Sequence, residues 1–151
     1  MEDCIFCRIV NNSIDSFKIY EDNDYIAVLD IFPNIKGQTL VIPKKHLDSY
    51  AFDLNDNELA KFIIVIKKVA KILEKGLNVS RVNMVFEGTE INHLHAKLYP
   101  AIGLKDKSEQ RIADQTIYFE EYNSYVTTLH GPRMENDKLK KVMEEIIKNN
   151  K

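Results

Sequence analysis

Alternating polar and apolar residues predict a β-strand over residues 93–99. Side chains two positions apart in a strand lie on the same face, about 6–7 Å from one another. The two faces therefore differ, with His93, His95, Lys97 and Tyr99 on one and Leu94, Ala96 and Leu98 on the other. Two imidazoles and a cation in one row, anchored by an apolar face, indicate a candidate reaction centre. An ordinary half-exposed edge strand is the alternative, which we disfavour because two of the four histidines fall in this row.

Apolar positions spaced by three and four residues predict a long helix between residues 55 and 77. Asn55 and Glu58 are placed as a capping pair at its start, and Gly76 is placed to stop it. Additional apolar residues widen its stripe beyond one face: Ile64, Val65 and Ile72. A second subunit that covers part of the helix explains the wide stripe, and burial within a monomer explains it nearly as well.

Shorter strand patterns, bounded by turn residues, lie on both sides of this helix. They cover residues 17–20, 25–31, 38–43 and 80–86. We expect the last of them to form a hairpin with residues 93–99 around Gly88 and Thr89. The remaining sequence predicts a polar loop over 101–113, strands over 116–120 and 124–129, and an amphipathic helix over 137–148.

The size and charge of the chain limit the classes of function open to it. At 151 residues it fits one domain that can bury a sizeable core without disulfide bonds. A net charge of -2 provides no overall basic field for nucleic acid, although a local site can still bind a free nucleotide. No apolar stretch is long enough for a membrane span, and the first residues are acidic rather than signal-like. We therefore expect a cytoplasmic protein that binds neither nucleic acid nor membrane.

Cys4 and Cys7 are the only two cysteines of the chain. In a reducing compartment, such a pair indicates a metal or redox motif rather than a stable disulfide. Tetrahedral zinc held by two thiolates needs two more ligands, for which imidazole nitrogen is the usual complement. The candidate imidazoles belong to His46, His93, His95 and His130. Two small buried side chains are the alternative, whereas a thioredoxin-type motif is disfavoured because no strand leads into it.

Four segments, in this order along the chain, resemble the histidine triad family of nucleotide hydrolases and transferases: residues 4–10, 27–31, 37–46 and 93–95. The resemblance spans residues 4–100 and implies an α+β fold, with helices packed on an antiparallel sheet of about five strands, which agrees with the strand pattern. It also implies a homodimer with a continuous sheet. We expect a nucleotide-binding core over residues 1–100. A C-terminal β-hairpin and helix, residues 101–151, would pack on the same domain.

The resemblance also implies roles for individual residues. Structural zinc is expected on Cys4, Cys7, His46 and His93. His95 matches the family's nucleophile, which attacks the α-phosphorus of a nucleotide and forms a nucleotidyl-histidine. Asp30 matches the acidic residue that accepts hydrogen bonds from the ribose hydroxyls. The side chains that match those enclosing the base are Phe6, Ile9, Val28 and Ile31, for which plain core packing is the alternative.

The chain departs from the family pattern where the phosphate is expected to bind. Lys97 stands at the position of the third histidine. A lysine supplies a charge and three donors but no general acid near neutral pH, since its unperturbed pKa is about 10.4. The phosphate-binding segment before the triad is also short, which leaves Thr89 and Asn92 as its candidate donors. For His130 and Arg133 we favour an ordinary turn, and the alternative is that one of them replaces the missing contacts.

These features predict a zinc-containing nucleotide hydrolase or nucleotidyltransferase that acts at the α-phosphate of adenylated or dinucleoside polyphosphate substrates. His95 and Lys97 are its expected catalytic residues. The alternative is a nucleotide-binding or regulatory protein that keeps the fold and the zinc but has lost turnover. A metal-dependent hydrolase is disfavoured, because His95 would then have to share an open zinc site.

Overall fold

A computed structural model describes residues 4–127, 132–133, 135–139 and 142. It divides into two compact units, Met1–Glu109 and Gln110–Lys151. The first unit contains the five strands and the helices named below. It also contains the cysteine–histidine cluster and the cavity described in the next subsection.

A five-stranded antiparallel sheet forms the centre of the first unit. Its strands are β1 (Lys18–Glu21), β2 (Tyr25–Leu29), β3 (Thr39–Pro43), β4 (Val82–Val85) and β5 (Ala96–Pro100), in the spatial order β1-β2-β3-β5-β4. The register aligns Val82 with Pro100 and Val85 with Lys97, so β4 and β5 form the expected hairpin. The predicted α+β fold with a five-stranded antiparallel sheet is confirmed.

Two helices and a 3-10 turn complete this unit: α1 (Ile5–Val10), the turn Ala51–Asp53, and α2 (Asp56–Leu77). The predicted start of α2 is confirmed, because the Asn55 side chain accepts a hydrogen bond from the backbone N–H of Glu58 at 3.0 Å. The predicted end of the helix at residue 77 is also confirmed, but Gly76 does not stop it. The helix continues to Leu77 and ends at Asn78, which adopts the left-handed conformation with φ 51° and ψ 48°. Asparagine tolerates this conformation better than other residues with a Cβ atom.

Both faces of the sheet are covered, and the two-residue period of each strand assigns its side chains to one face or the other. On one face α2 packs against a core that includes Val41, Leu94, Ala96 and Leu98. On the opposite face Phe6 of α1 packs against a smaller cluster formed by Ile26, Val28 and Ile42. The polar row of β5 faces this second side, beside α1.

The strand that carries the polar row differs from its prediction in two respects. It lies between β3 and β4 in the interior of the sheet, so the alternative of an edge strand is wrong. It also begins at Ala96 and not at His93. The backbone N–H of Leu94 bonds to the carbonyl of Leu47 in the loop after β3, at 2.8 Å, instead of to a neighbouring strand. His93 therefore lies outside the regular row that includes His95, Lys97 and Tyr99.

The described residues of the second unit contain less regular structure than the sequence predicts. Residues 116–120 and 124–127 are not strands, and Thr116 makes an isolated bridge only. The predicted C-terminal hairpin is therefore wrong over these residues, although they are rich in β-branched and aromatic side chains. Residues 136–139 and 142 are helical, as expected. His130 and the rest of the segments 124–129 and 137–148 lie outside the described residues.

No helix within the described part of the chain is long and apolar enough to cross a membrane. The boundary after residue 100, the packing of residues 101–151 on the core and the cytoplasmic location stay predictions.

The cap of α2 gives a test of the fold. Replacing Asn55 with alanine removes the acceptor for the Glu58 N–H, and loss of such a cap costs about 1 kcal/mol. We expect Asn55→Ala to lower the free energy of unfolding by that amount in urea titrations. Asn57→Ala, an exposed change in the same helical turn, is the control. Equal stability of the two variants would contradict the role of the cap.

Candidate functional site

Two cysteines and two histidines from distant parts of the sequence meet beside α1. Cys4 immediately precedes α1 and Cys7 lies in its first turn, so both sulfurs are on one side of the helix. The Sγ atoms of Cys4 and Cys7 lie 3.4 Å and 3.6 Å from Nδ1 of His93. The Sγ atom of Cys7 also lies 3.3 Å from Nδ1 of His46, which follows the end of β3. All four ligand atoms lie within 4.8 Å of one another.

The hydrogen bonding of His93 leaves its Nδ1 available as a ligand. Its Nε2–H donates to the carbonyl oxygen of Pro43 at 2.9 Å, and because a carbonyl only accepts, Nε2 carries the proton. A hydrogen-bonded second nitrogen is the usual support of a metal-binding histidine. Burial lowers the pKa of His93, which favours the neutral ring that binds metal. Burial and the neighbouring Cys4 raise the pKa of the Cys7 thiol.

The donor set fits zinc. Zinc takes thiolates at about 2.3 Å and imidazoles at about 2.0 Å in a tetrahedron, which separates sulfur and nitrogen ligands by about 3.5 Å. The three sulfur–nitrogen distances of 3.3, 3.4 and 3.6 Å agree with this spacing. Four protein ligands would close the coordination sphere of zinc, as in structural zinc sites, and would leave no position for a reacting water.

His95 lies next to this cluster and is almost completely buried, with 4% of its surface exposed. Its Nδ1–H donates to the backbone carbonyl of His93 at 2.7 Å, which leaves the lone pair on Nε2. Phe6 packs its ring edge-to-face against both imidazoles, at centroid distances of 5.8 Å to His93 and 5.0 Å to His95. Burial lowers the pKa of His95, and the charge of Lys97 lowers it further. A neutral, oriented imidazole of this kind is suited to nucleophilic attack.

His95 lines a cavity of about 560 Å³ between α1, β2 and β5, a volume typical of small-molecule sites. The walls of this cavity are mostly apolar, with a few polar groups. Seven of the residues predicted for the site line it: Phe6, Ile9, Val28, Asp30, Ile31, His95 and Lys97. Tyr99, the last residue of the polar row, also reaches it. The almost buried His95 is therefore still accessible from a nucleotide-sized space.

Asp30 is held in position by two hydrogen bonds. Its Oδ2 accepts from Nε2 of Gln38 at 2.5 Å, and its Oδ1 accepts from the backbone N–H of Phe32 at 2.8 Å. A carboxylate has about four acceptor positions, so two remain, which is the number of hydroxyl donors on a ribose. The sequence analysis did not include Gln38 in the site. Its contact with Asp30 depends on how the loop between β2 and β3 folds back, and no local pattern predicts it.

Lys97 forms an ion pair with Glu87 at 2.8 Å, and both side chains are largely shielded, with exposures of 21% and 12%. The register of Val85 with Lys97 brings Glu87, two residues beyond β4, alongside Lys97. Burial alone would lower the pKa of Lys97, but the hydrogen bond and charge of Glu87 outweigh it and raise that pKa. The lysine therefore stays charged, and part of its charge is offset by a carboxylate that the sequence analysis missed.

The two donors predicted in the short segment before His93 are not among the residues that line the cavity. Asn92 uses its amide to accept from the backbone N–H of Ser49 at 2.9 Å and to donate to Asp48 at 3.0 Å. Asn92 is exposed and, like Thr89, is not among the residues that line the cavity. Asn92 fastens this segment to the loop after β3, and the assignment of both residues to nucleotide binding stays a prediction. Glu90 does line the cavity.

The sequence of this chain matches a known protein family. The family model described as the HIT domain matches residues 11–100. The chain belongs to the HIT family. This HIT chain is 42% identical over 101 residues to an uncharacterized HIT-like protein of Methanocaldococcus jannaschii, across 64% of this chain and 78% of that protein. It is 36% identical over 98 residues to the adenosine 5'-monophosphoramidase of Saccharomyces cerevisiae, across 64% of this chain and 61% of that protein.

Solved structures share the fold of this chain. A protein from Streptococcus mutans UA159 is similar with a TM-score of 0.68 and 30% identity, over 100% of this chain and 87% of that one. A zinc-bound histidine triad family protein from Mycobacterium smegmatis is similar with a TM-score of 0.59 and 28% identity, over 76% of this chain and 85% of that one. That protein binds zinc, and the four clustered cysteine and histidine side chains of this chain are of the types that bind zinc.

Removal of one ligand tests the metal site. We expect His46→Ala to weaken zinc binding at least about 100-fold, because even the loss of a residue that only supports a ligand weakens binding 10- to 100-fold. Zinc content by native mass spectrometry and competition with a chelator measure the effect. Lys45→Ala, an exposed change next to the ligand, is the control. A zinc affinity that is the same in both variants would exclude His46 as a ligand.

Proposed function

We propose that this HIT protein is a nucleotide hydrolase or nucleotidyltransferase that acts at the α-phosphate of adenylated or dinucleoside polyphosphate substrates. The proposal depends on the orientation of His95. Its Nδ1–H donates to the carbonyl of His93, so Nε2 has a free lone pair, and the residue lines the cavity. Apolar side chains at one end of the cavity provide a place for the base. Asp30 provides acceptors for the ribose hydroxyls, which leaves the phosphate at the His95 end.

The reaction proceeds in two displacements. The Nε2 lone pair of His95 attacks the α-phosphorus, a nitrogen–phosphorus bond forms, and the bond to the leaving group breaks with its electron pair. Water or another acceptor then forms an oxygen–phosphorus bond, the electron pair returns to Nε2, and the proton of the acceptor passes to solvent. The Nδ1–H bond to the His93 carbonyl stabilises the positive ring of the intermediate.

Zinc has a structural role in this proposal. When bound, it would hold His93 through Nδ1 and supply cross-linking between α1, the loop after β3 and the segment before β5. The backbone carbonyl of His93 orients His95, so the rigidity of His93 determines where Nε2 points. A positional error of about 1 Å at a reacting group can cost about 100-fold in rate.

The relatives support a nucleotide substrate with an adenylate portion. The yeast relative is named an adenosine 5'-monophosphoramidase, and we extend the adenylate portion of its substrate to this chain. We also propose that the protein is a cytoplasmic homodimer. Exposed apolar residues on α2, including Ile63, Ile64 and Ile72, support an interface, because a partner would remove them from water.

A nucleotide-binding or regulatory protein without turnover is the second candidate. Two observations favour it: the Lys97 charge is partly offset by Glu87, and neither Thr89 nor Asn92 lines the cavity. Both features would lower the affinity of the site for a phosphate group. The two candidates differ in whether a covalent intermediate forms.

Trapping the intermediate separates the two candidates. With a labelled adenylated substrate in single turnover, we expect label on His95 of the wild type. His95→Asn should form no adduct but should retain AMP binding, because the rest of the cavity is unchanged. Lys68→Ala, an exposed change on α2, should label like the wild type. Nucleotide binding by the wild type without any adduct would support the regulatory protein instead.

The role of Asp30 is tested through the sugar. We expect Asp30→Asn to weaken AMP binding about 10- to 100-fold, since a hydrogen bond to a charged group contributes about 1.5–3 kcal/mol. Binding of 2',3'-dideoxy-AMP should change much less, because it has no hydroxyls to donate. Calorimetric titration of both nucleotides measures the difference. Equal losses for the two nucleotides would show that Asp30 supports the fold of the cavity and does not bind the sugar.

A further inference from the structure

The titratable side chains that line the cavity determine whether a leaving group can receive a proton as it departs. They are Asp15, Asp30, Glu90, His95, Lys97 and Tyr99. Ionised carboxylates accept hydrogen bonds and do not donate them. His95 is committed, since its Nδ1 proton lies on the His93 carbonyl and its Nε2 forms the bond to phosphorus. Only Lys97 and Tyr99 remain as donors among the described residues.

Neither of these two donors is matched to general acid catalysis. An efficient acid has a pKa near the operating pH. Burial raises the pKa of Tyr99, and the pKa of Lys97 is raised because Glu87 outweighs the effect of burial. Lys97 therefore acts as a fixed cation in the cavity wall, which stabilises negative charge without transferring a proton.

The structure assigns to Lys97, held in place by Glu87 at 2.8 Å, the selection of the leaving group. We propose that the site cleaves nucleotides whose leaving group departs as a stable anion, such as a phosphate, pyrophosphate or nucleoside polyphosphate. It would discriminate against amines and alcohols, which need a proton as they depart. This inference rests on the proposed function and narrows its substrate class. Lys97 is the catalytic residue here, and Glu87 is a positioning residue.

The chemistry of the first step balances without an acid for such substrates. The Nε2–phosphorus bond forms as the phosphorus–oxygen bond of the anhydride breaks, and the leaving oxygen keeps the electron pair as an anion next to the Lys97 ammonium. An amine leaving group would need one proton on nitrogen in the same step. Since a positioned acid contributes about 10²–10⁴-fold, its absence should slow amine departure by about that factor.

The experiment varies only the leaving group. Single-turnover rates of His95 labelling are measured for a graded series of substituted phenyl esters of AMP, from nitrophenyl to unsubstituted phenyl, and for adenosine 5'-phosphoramidate and ATP. We expect the wild-type rate to fall steeply as the leaving group becomes more basic, and labelling by the phosphoramidate to be at least about 100-fold slower than by ATP. A flat dependence on basicity would overturn the inference.

Variants identify the residue responsible. Lys97→His should flatten the dependence on leaving-group basicity and raise phosphoramidate labelling relative to ATP, because imidazole can donate a proton. Lys97→Met, which removes the charge, should slow labelling by ATP about 100-fold or more. Glu87→Gln should leave the steep dependence in place and change the absolute rates only. If Lys97→His keeps the wild-type steepness, Lys97 does not select the leaving group.

The results also distinguish a failure of this inference from a failure of the proposed function. His130→Gln examines the one remaining histidine that the sequence analysis associated with the phosphate. If wild-type labelling by the phosphoramidate is fast and is lost in His130→Gln, His130 is the donor and the inference is wrong. If no ester or nucleotide labels His95, the proposed function itself fails. If all substrates label His95 at similar rates, only the inference about the leaving group fails.

Discussion

The hydrogen bond from Nδ1 of His95 to the backbone carbonyl of His93, at 2.7 Å, connects every other part of the site. It fixes the ring orientation and the tautomer of the proposed nucleophile. Its acceptor belongs to a residue whose own side chain is held between two cysteine sulfurs and the carbonyl of Pro43. The metal cluster and the cavity therefore share one rigid link, and a shift of His93 would move Nε2 of His95 with it.

Charges of both signs line the cavity. Asp15, Asp30 and Glu90 supply negative charge, whereas Lys97 is the one cation among its described lining residues. In the proposed function a phosphate pairs with Lys97, which shares a strand face with His95. Gln38 and Phe32 hold the Asp30 carboxylate before any ligand arrives. Such preorganised groups need little rearrangement during reaction.

The sequence pattern predicts the side chains that share a strand face, but it does not predict contacts set by loops. His95, Lys97 and Tyr99 line the cavity together as the two-residue period requires. Thr89 and Asn92 do not line it. The Asn92 amide pairs instead with Asp48 and Ser49, more than 40 positions away in the sequence. Glu87 and Gln38 were missed for the same reason. Their partners depend on strand register and loop folding rather than on local spacing.

Lys97 and Glu87 are best understood together, as one ion pair. A lysine with 21% exposure in the wall of an apolar cavity loses much of its hydration, and a shielded carboxylate at 2.8 Å replaces that hydration with a paired charge. Either residue alone would leave a shielded charge with less compensation, so the two are coupled energetically. In this chain the lysine at this position is paired with an acidic residue two positions beyond β4. The same pairing that makes the lysine tolerable keeps it charged, and a charged lysine favours leaving groups that depart as anions.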